Sequence, residues 1–251
     1  VSLENLPEPG EILEEDYQRL LGLLAEEKMR IWNTAVSEKR DLMEYYTMWV
    51  HQIKTPIAAL RLLLAEEEDE RSQEMWEELF SIEQYVEMAL QFSRLSAKST
   101  DFVIGEVSLD KVVREAIHKY ARLFVRKKIK LELSPIDAQV LTDEKWLEFV
   151  IEQVLSNAIK YTAGGTISVY LEEESEQETK ELVIEDTGIG IAPEDLPRIF
   201  EKGYTGYNGH ADKRSTGIGL YLCRKIMRKL SHEITIESEI GVGTKVHLEI
   251  R

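Results

Sequence analysis

Apolar residues recur at steps of three and four positions along a long stretch near the start of the chain, from Tyr17 to Leu64, with Lys28 and Glu38 as polar interruptions. This spacing is that of a heptad-like seam, typical of a helix that pairs with another helix. The pattern ends at the acidic run 66–70, which indicates a solvated loop or a frayed helix end. The members of the seam are Tyr17, Leu20, Leu24, Ile31, Ala35, Leu42, Tyr45, Trp49, Ile53, Ile57, Leu60 and Leu64.

A second amphipathic stretch follows the acidic run, from Met75 to Phe92. Two such helices joined by a short polar loop predict an αα-hairpin. A single hairpin has little core, so the pairing of two copies into a four-helix bundle is the natural remedy. The sequence therefore predicts a parallel homodimer that forms through this hairpin.

The second half of the chain mixes helix and strand patterns, after a small-residue and polar break at 96–105 where we place a domain boundary. Helical spacing predicts helices near 112–124, 143–161 and 219–230, and Asp143 is suited to cap the second of them. Alternation and β-rich composition predict strands at 129–133, 166–171, 181–186, 233–238 and 244–250. The expected fold class is α plus α/β, with a helical hairpin followed by a mixed domain.

Composition limits the classes of function that are open to this chain. Lysine and arginine total 31 against 47 aspartate and glutamate residues, so the net charge is −16. Such a chain is repelled by phosphate backbones, which argues against nucleic-acid binding. Cys223 is the single cysteine, so neither an internal disulfide nor a two-cysteine zinc site is expected. No apolar stretch is long enough to span a membrane, and the valine at position 1 suggests a fragment.

His51 is the first candidate for chemistry. It stands two positions from Trp49 and two from Ile53, both of which belong to the seam. At about 100° per residue, this spacing puts an exposed imidazole on the far side of the helix. Pro56 follows within the same helical pattern, where it removes a hydrogen bond at a cost of about 3 kcal/mol. The two residues together predict a bend next to an accessible histidine.

Glycine-rich motifs form the second group of candidates. One tract begins at Asp186, another begins at Thr216, and a third ends at Thr244. Glycines let the backbone approach phosphates, and helix N-termini offer free N–H groups to anions. Asn157, upstream, carries an amide oxygen suited to Mg²⁺, and a carboxylate such as Asp186 accepts from an amine such as that of adenine. The motifs indicate a nucleotide site that is neither a Walker loop nor a convincing Rossmann fingerprint.

In their order and spacing, the block His51-Gln-Ile-Lys-Thr-Pro and the later motifs resemble the H, N, G1, F, G2 and G3 boxes of bacterial sensor histidine kinases. The resemblance covers roughly residues 30–251. It implies a dimeric hairpin that carries the histidine, followed by an ATP-binding α/β sandwich of the gyrase, Hsp90, histidine kinase and MutL type. The implied divisions are a signalling helix or linker at 1–40, a dimerisation and phosphotransfer hairpin at 41–97, and an ATP-binding domain at 105–251.

The resemblance also implies roles and partners. ATP and Mg²⁺ are the implied cofactors, with His51 as phospho-acceptor, Asn157 as Mg²⁺ ligand and Asp186 as the acceptor for the adenine amino group. The phosphoryl group passes to an aspartate of a response regulator, and Thr55 supports the reverse, phosphatase reaction. The chain is then a cytoplasmic fragment of a protein in the bacterial cell membrane. The remaining nucleotide contacts are expected at Lys160, Tyr161, Gly188, Gly190, Phe200, Thr216, Gly217, Gly219, Leu220 and Thr244.

A mobile lid is expected from Thr205 to Thr216, because this segment has turn-prone residues and little apolar anchoring. Its cations, Lys213 and Arg214, either close onto the phosphates or are solvated surface charges. The sequence leaves both alternatives open.

Three positions depart from the family pattern. The acidic residue that usually follows the histidine is Gln52, which can hold the imidazole or a water but cannot act as a base. Gln153 stands where an asparagine is usual, and Gly203 stands where a second aromatic residue is usual. Gln52 with the following Lys-Thr-Pro resembles the short-sensor kinases that respond to cell-envelope stress and peptide antibiotics.

Two alternatives remain open from the sequence. A catalytically silent module that binds nucleotide and signals through dimer conformation would agree with Gln52. A mechanical ATPase of the same nucleotide fold would explain the glycines but not the block from His51 to Pro56. The other histidines have no metal-ligand partners at suitable sequence spacing, so surface or structural roles are expected for His118, His210, His232 and His247.

Overall fold

The computed structural model describes residues 10–65, 69–96, 102–172, 179–206 and 216–250. The chain divides into two compact units, Val1–Ser99 and Thr100–Arg251. Among the helices of the described ranges, none combines the length and the apolar character that crossing a bilayer requires. Six residues inside helices are described by their backbone alone, and these are Lys39, Glu44, Thr47, His51, Ala65 and Ser96.

The first unit is an αα-hairpin, as the sequence predicts. Helix α1 spans Ile12–Ala65 and helix α2 spans Glu70–Ser96. The Asp69 carboxylate accepts a hydrogen bond from Ser72 N at 2.8 Å, which satisfies one of the free N–H groups at the start of α2. Helix α1 continues through Pro56, so the bend expected there stays a prediction. Residues 66–68 of the acidic run lie outside the described residues.

The strip of α1 that faces α2 differs in part from the seam that the sequence predicts. Val50 and Ile57 are 1% and 6% exposed, and the partly buried Ile53 packs beside them. Trp49 and Leu60 were expected on this strip, but they are 40% and 50% exposed. Positions 50, 53 and 57 are three and four residues apart and share one helix face, whereas Trp49 lies about 100° away from Val50. The hairpin core is completed by Leu64 of α1 and by Leu79, Val86 and Leu90 of α2.

The second unit contains a five-stranded sheet with strand order β2-β4-β5-β7-β6. Strands β2 and β4 run parallel, and every other neighbouring pair in this sheet is antiparallel. A separate two-stranded sheet pairs β1 with β3. The strand bounds are β1 Gly105–Ser108, β2 Lys130–Leu133, β3 Gln139–Thr142, β4 Thr166–Glu172, β5 Lys180–Asp186, β6 Glu233–Glu239 and β7 Gly243–Ile250.

Three helices pack beside the large sheet to form a two-layer sandwich. They are α3 Leu109–Arg126, α4 Glu144–Tyr161 and α5 Gly219–Lys229. Helix α4 contacts α3, α5 and β5, so it lies at the centre of the helical layer. The helices and five strands predicted from periodicity are therefore confirmed, together with the α plus α/β class.

The small sheet was not predicted from the sequence. Strands β1 and β3 have four residues each, which is too short for a clear alternation of apolar and polar residues. Val107 and Val140 are register partners in this sheet, and both are buried. These two segments therefore form strands because they pair with each other, and not because of a pattern within either segment.

Asp143 joins two segments at the start of α4, and its replacement should measurably weaken the fold. Its Oδ1 accepts from Lys145 N and Trp146 N at 3.1 and 3.2 Å, and its Oδ2 accepts from Val103 N at 2.7 Å. Asp143→Ala removes a helix cap, so we expect the free energy of unfolding in urea to fall by about 1–2 kcal/mol.

The matched control is Asp110→Ala in the first turn of α3, which breaks a partly exposed ion pair with Arg114. Such pairs contribute little, so we expect a loss below about 0.5 kcal/mol. Equal losses in the two variants would contradict the capping role of Asp143.

Candidate functional site

A buried carboxyl group marks the end of the central strand β5. Asp186 is 7% exposed, and its Oδ1 accepts a hydrogen bond from Gly188 N at 2.8 Å. Burial raises the pKa of this carboxyl to about 6, and the hydrogen bond from Gly188 and the hydroxyl of Thr162 partly offset the rise. In the antiparallel pairing of β5 with β7, Asp186 lies opposite Thr244. A carboxyl with these surroundings is well placed to accept a hydrogen bond from a ligand.

The turn after β5 approaches the C-terminus of α4 so closely that it requires glycine. A Cβ on Gly188 would lie 2.6 Å from the carbonyl oxygen of Tyr161 and 2.7 Å from Asp186 Oδ1. The same carbonyl accepts a hydrogen bond from Ile189 N at 3.3 Å. The last turn of α4 is therefore held directly against the buried carboxyl.

Asn157, Lys160 and Tyr161 lie along this last turn, and all three are half-buried. The Lys160 Nζ lies 5.1 Å from the centroid of the Tyr161 ring. Lys127 Nζ donates to the carbonyl oxygens of Ile159 and Lys160 at 2.7 and 3.3 Å, which neutralises the negative end of the helix dipole. The Asn157 amide oxygen is a hard ligand that suits Mg²⁺, the remaining positions of which are usually filled by phosphate and water.

The loop after Gly188 is fastened to the turn between β6 and β7. Gly190 has φ +71°, and a Cβ there would lie 2.0 Å from the carbonyl oxygen of Glu239. Ile191 N donates to Ser238 Oγ at 2.8 Å, and that hydroxyl also lies 2.9 Å from Thr244 Oγ1. The structure thus brings together the motifs of α4, of the turn after β5 and of the start of β7, which are distant in the sequence.

The segment before α5 forms a second group of predicted residues. The carbonyl oxygen of Gly217 accepts a hydrogen bond from Gly203 N at 2.9 Å, so the loop that contains Gly203 lies beside the segment before α5. The hydroxyl of Thr216 accepts from Ile218 N at 3.4 Å, and Gly219 and Leu220 begin α5. Lys213 and Arg214, with most of the expected lid, lie outside the described residues.

Phe200 lies beside a cation of α5 that the sequence pattern did not indicate. The guanidinium of Arg224 lies 5.1 Å from the centroid of its ring. Phe200 and Arg224 line a surface groove of about 200 Å³ together with Tyr221, Lys225 and Arg228. The helical spacing of positive charges on α5 was visible in the sequence, but the proximity of the Phe200 ring to them was not.

Thr162 is a further residue at the site that sequence reasoning missed. It follows α4 directly, is 1% exposed, and influences the pKa of Asp186 through its hydroxyl. A threonine beside a helix end usually signals a turn, so no local pattern distinguished it. Only the packing of α4 against β5 makes it a neighbour of the buried carboxyl.

The histidine block belongs to the other unit. The backbone of His51 lies in α1, and its side chain, with the predicted exposure, lies outside what the structure describes. Gln52 and Thr55 are exposed, and Thr55 follows His51 by one helical turn. Lys54 Nζ lies 2.7 Å from Glu87 Oε2, which ties this turn of α1 to α2.

The structure adds a spatial grouping around one of the remaining histidines. The side chains of Glu172, Glu181 and His247 offer ligand atoms within 4.8 Å of one another, so His247 does have partners at metal-ligand distance. They come from three different strands, which explains why sequence spacing did not reveal them. His232 is 5% exposed, in agreement with a structural role, and His210 lies outside the described residues.

Comparisons with known proteins agree with this geometry. Residues 142–251 match the family model described as histidine kinase-, DNA gyrase B- and HSP90-like ATPase. The chain is 38% identical over 203 residues to sensor histidine kinase YxdK of Bacillus subtilis, covering 80% of this chain and 62% of the relative. It is 32% identical over 234 residues to the sensor protein BceS of Halalkalibacterium halodurans, covering 93% of this chain and 68% of the relative.

A solved structure has the same fold. The crystal structure of full-length ShkA in complex with AMPPNP superimposes with a TM-score of 0.58 at 20% identity, covering 82% of this chain and 45% of that one. The chain spans about three fifths of the length of YxdK, since 62% of that relative is covered. Its ATPase-like domain, its helical hairpin and its relatives agree, and the chain belongs to the two-component sensor histidine kinase family, in the group that includes BceS.

Proposed function

We propose that this chain is an ATP-dependent protein-histidine kinase that transfers the γ-phosphoryl group of ATP to His51. The observation that carries the proposal is the buried Asp186 carboxyl, held by Gly188 beside the turn of α4 that bears Asn157 and Lys160. This arrangement offers an acceptor for the adenine amine, an oxygen for Mg²⁺ and a cation for phosphate on neighbouring segments of the same unit. The relative YxdK, which is named as a sensor histidine kinase, supports the same activity.

Asp186 recognises the base in this proposal. Its Oδ1 accepts a hydrogen bond from the Gly188 N–H, which fixes the carboxyl plane, and the carboxyl accepts a further hydrogen bond from the exocyclic amine of adenine. Because the carboxyl is largely out of water, a hydrogen bond to its ionised form is stronger than one at the surface.

Asn157 and Lys160 act at the phosphate end. The Asn157 amide oxygen contributes one ligand to Mg²⁺, and the ion lowers the repulsion between the phosphates and their neighbours when it is bound. Lys160 lies one turn further along the same helix and brings a positive charge to the phosphates. The N–H groups at the start of α5, next to Gly217 and Gly219, supply further donors to anionic oxygen.

The transfer itself needs little from the protein besides positioning and charge neutralisation. The lone pair of a neutral imidazole nitrogen, Nε2 in our proposal, attacks the γ-phosphorus, the bond to the bridging oxygen breaks, and ADP leaves with that electron pair. An ordinary imidazole has a pKa near 6.5, so an unprotonated nitrogen is available to attack at about pH 7. A base at Gln52 is therefore not required.

A response regulator is the proposed receiver of the phosphoryl group, and a homodimer is the proposed assembly. The support for the dimer is the apolar surface that α1 leaves outside the hairpin, including Tyr45, Trp49 and Leu60 at 57%, 40% and 50% exposure. Surface of this kind over one helix marks an interaction face. Attachment of the full-length protein to the membrane is proposed from its membership of the sensor kinase family.

A nucleotide-binding module without phosphoryl transfer is the second candidate. The exposed Gln52, in place of an acidic residue, is the observation that favours it. The first candidate predicts that the chain becomes phosphorylated and the second predicts that it does not. Both predict that the chain binds nucleotide.

Phosphoryl transfer and nucleotide binding should be separable by two substitutions. With γ-labelled ATP and Mg²⁺, we expect acid-labile label on the wild-type chain and none on His51→Ala, while both bind ATP equally in calorimetry. Asp186→Ala should instead weaken ATP binding by about 10–100-fold, since a hydrogen bond to a charged group contributes about 1.5–3 kcal/mol. Binding without any label on the wild type would favour the silent module, and unchanged affinity in Asp186→Ala would show that the base binds elsewhere.

Nucleotide affinity should fall as pH falls through about 6, where the Asp186 carboxyl protonates. One pH unit below its pKa about a tenth of a carboxyl remains ionised, so we expect affinity to drop by about tenfold between pH 7 and pH 5. The phosphates of ATP titrate in the same range, so Asp186→Asn, which does not titrate, is the control. An identical pH profile in the two proteins would contradict the assignment.

The same raised pKa gives a stability readout without nucleotide. Because burial favours the protonated carboxyl, Asp186 destabilises the folded state above about pH 6, and this cost disappears as pH falls towards the ordinary pKa of 3.8. Asp186→Asn should therefore raise the melting temperature at pH 7.5 and change it less at pH 5. A larger rise in melting temperature at pH 5 than at pH 7.5 would show that folding does not raise the pKa of Asp186.

Thr55 and Gln52 should affect different reactions. Thr55 lies one turn from His51, where its hydroxyl can orient a water, so Thr55→Ala should lower phosphatase activity towards the phosphorylated regulator and spare autophosphorylation. Gln52→Glu supplies a base that the reaction does not strictly need, and we expect a rise in autophosphorylation rate of at most about tenfold. Loss of autophosphorylation in Thr55→Ala with unchanged dephosphorylation would reverse the two assignments.

A further inference from the structure

Four glutamates lie side by side across the large sheet. They are successive register partners on β4, β5, β7 and β6, namely Glu172, Glu181, Glu249 and Glu233. Like charges that stand directly opposite each other on neighbouring strands destabilise a sheet. A row of this kind departs from ordinary sheet composition, and departures of this sort are concentrated at functional sites.

His247 lies next to this row, and two of the carboxylates converge on one of its ring nitrogens. Its Nδ1 is 2.7 Å from Glu181 Oε1 and 3.6 Å from Glu172 Oε2. A proton on Nδ1 can be donated to only one of these carboxylates, so the other carboxylate faces the ring without a hydrogen bond from it. The three side chains each offer one ligand atom, and these atoms lie within 4.8 Å of one another.

The second ring nitrogen of His247 is buried without a partner. Nε2 is shielded from solvent and has no hydrogen-bond partner among the described residues. While Nδ1–H donates to Glu181, Nε2 carries a lone pair 4.0 Å from the Glu237 carboxylate, and these two groups cannot hydrogen-bond. With a cation on Nδ1 the proton moves to Nε2. The Glu237 side chain is 76% exposed, so it is able to approach and accept that proton.

We propose that Glu172, Glu181 and Nδ1 of His247 bind one divalent transition-metal ion, with Zn²⁺ as the best match. A tetrahedral Zn²⁺ with bonds of about 2.0–2.1 Å holds its ligand atoms about 3.3–3.4 Å apart, which lies between the two separations around Nδ1. Imidazole favours Zn²⁺ over Mg²⁺ and Ca²⁺. The Glu172 side chain is 47% exposed, so water reaches the fourth position of the ion. The ion binds both carboxylates at once, as a proton cannot, and it offsets the repulsion along the row.

This metal site is separate from the nucleotide pocket. Glu181 and Asp186 stand five positions apart on β5, which places them about 17 Å apart and on opposite faces of the sheet. The role of the ion is therefore structural, since it ties β4, β5 and β7 together. Zn²⁺ binding at this site is expected with or without nucleotide, and it does not depend on the kinase activity proposed above.

The test is a calorimetric titration of the whole chain with Zn²⁺, without nucleotide and with millimolar Mg²⁺ present. We expect one Zn²⁺ per chain. His247→Gln keeps a polar side chain but removes the imidazole, and Glu172→Gln removes a ligand at an exposed position where folding is not at risk. Loss of an outer partner of a metal site costs about 10–100-fold in affinity, so we expect about 10–100-fold in Glu172→Gln and at least about 100-fold in His247→Gln.

Glu132→Gln is the matched control, because it removes one negative charge from the same face of the sheet, on β2, outside the cluster. Its Zn²⁺ affinity should equal that of the wild type. At a hundredfold excess of Zn²⁺ over the dissociation constant, the melting temperature of the wild type and of the control should rise by about 5–10 °C. Glu172→Gln should show a smaller rise at the same Zn²⁺ concentration.

Without metal, Glu172→Gln should melt no lower than the wild type, because it removes one of the like charges in the row. Equal Zn²⁺ affinity in the wild type, Glu172→Gln and Glu132→Gln would mean loose association with an acidic surface, and it would overturn the inference. A wild-type chain that binds no Zn²⁺ would overturn it as well. Neither result would touch the proposed kinase activity, which is measured by labelling with ATP.

Discussion

The close contact between the C-terminus of α4 and the turn after β5 is the constraint on which the candidate site depends. The carbonyl of Tyr161 accepts from Ile189 N, and the gap is so narrow that a side chain at Gly188 has no room. This contact puts Thr162 beside Asp186 and keeps both out of water. The raised pKa of Asp186 follows from this packing, because burial disfavours the charged form of the carboxyl.

The helical hairpin has a different physical problem. Its core is one narrow strip, formed on α1 by Val50, Ile53 and Ile57, and the neighbouring face of α1 still carries exposed apolar residues such as Trp49. A helix with apolar residues on two faces cannot bury both of them against the one other helix of its hairpin. The unit therefore buries one strip internally and leaves the other for association, which is why a second copy is the proposed partner.

Local sequence signals predicted the long, strongly periodic elements and failed where pairing is non-local. Helix α4 was predicted to within a residue because its N-cap Asp143 and its apolar spacing agree. The pairing of β1 with β3 was missed, since each strand has four residues. The proximity of Glu172, Glu181 and His247 was missed for the same reason, because antiparallel register across three strands, and not spacing along the chain, brings them together.

The sequence by itself determined the order of the elements, the family and the identity of the residues from His51 to Thr244 that the resemblance assigns to phosphoryl transfer. It did so because helix periodicity, capping residues and glycine motifs are local properties of the chain. Only the tertiary structure decided that Val50 rather than Trp49 faces α2, and that Thr162 lies beside Asp186. Both depend on which surfaces are excluded from water when distant segments pack, and burial of this kind has no signature in any single segment.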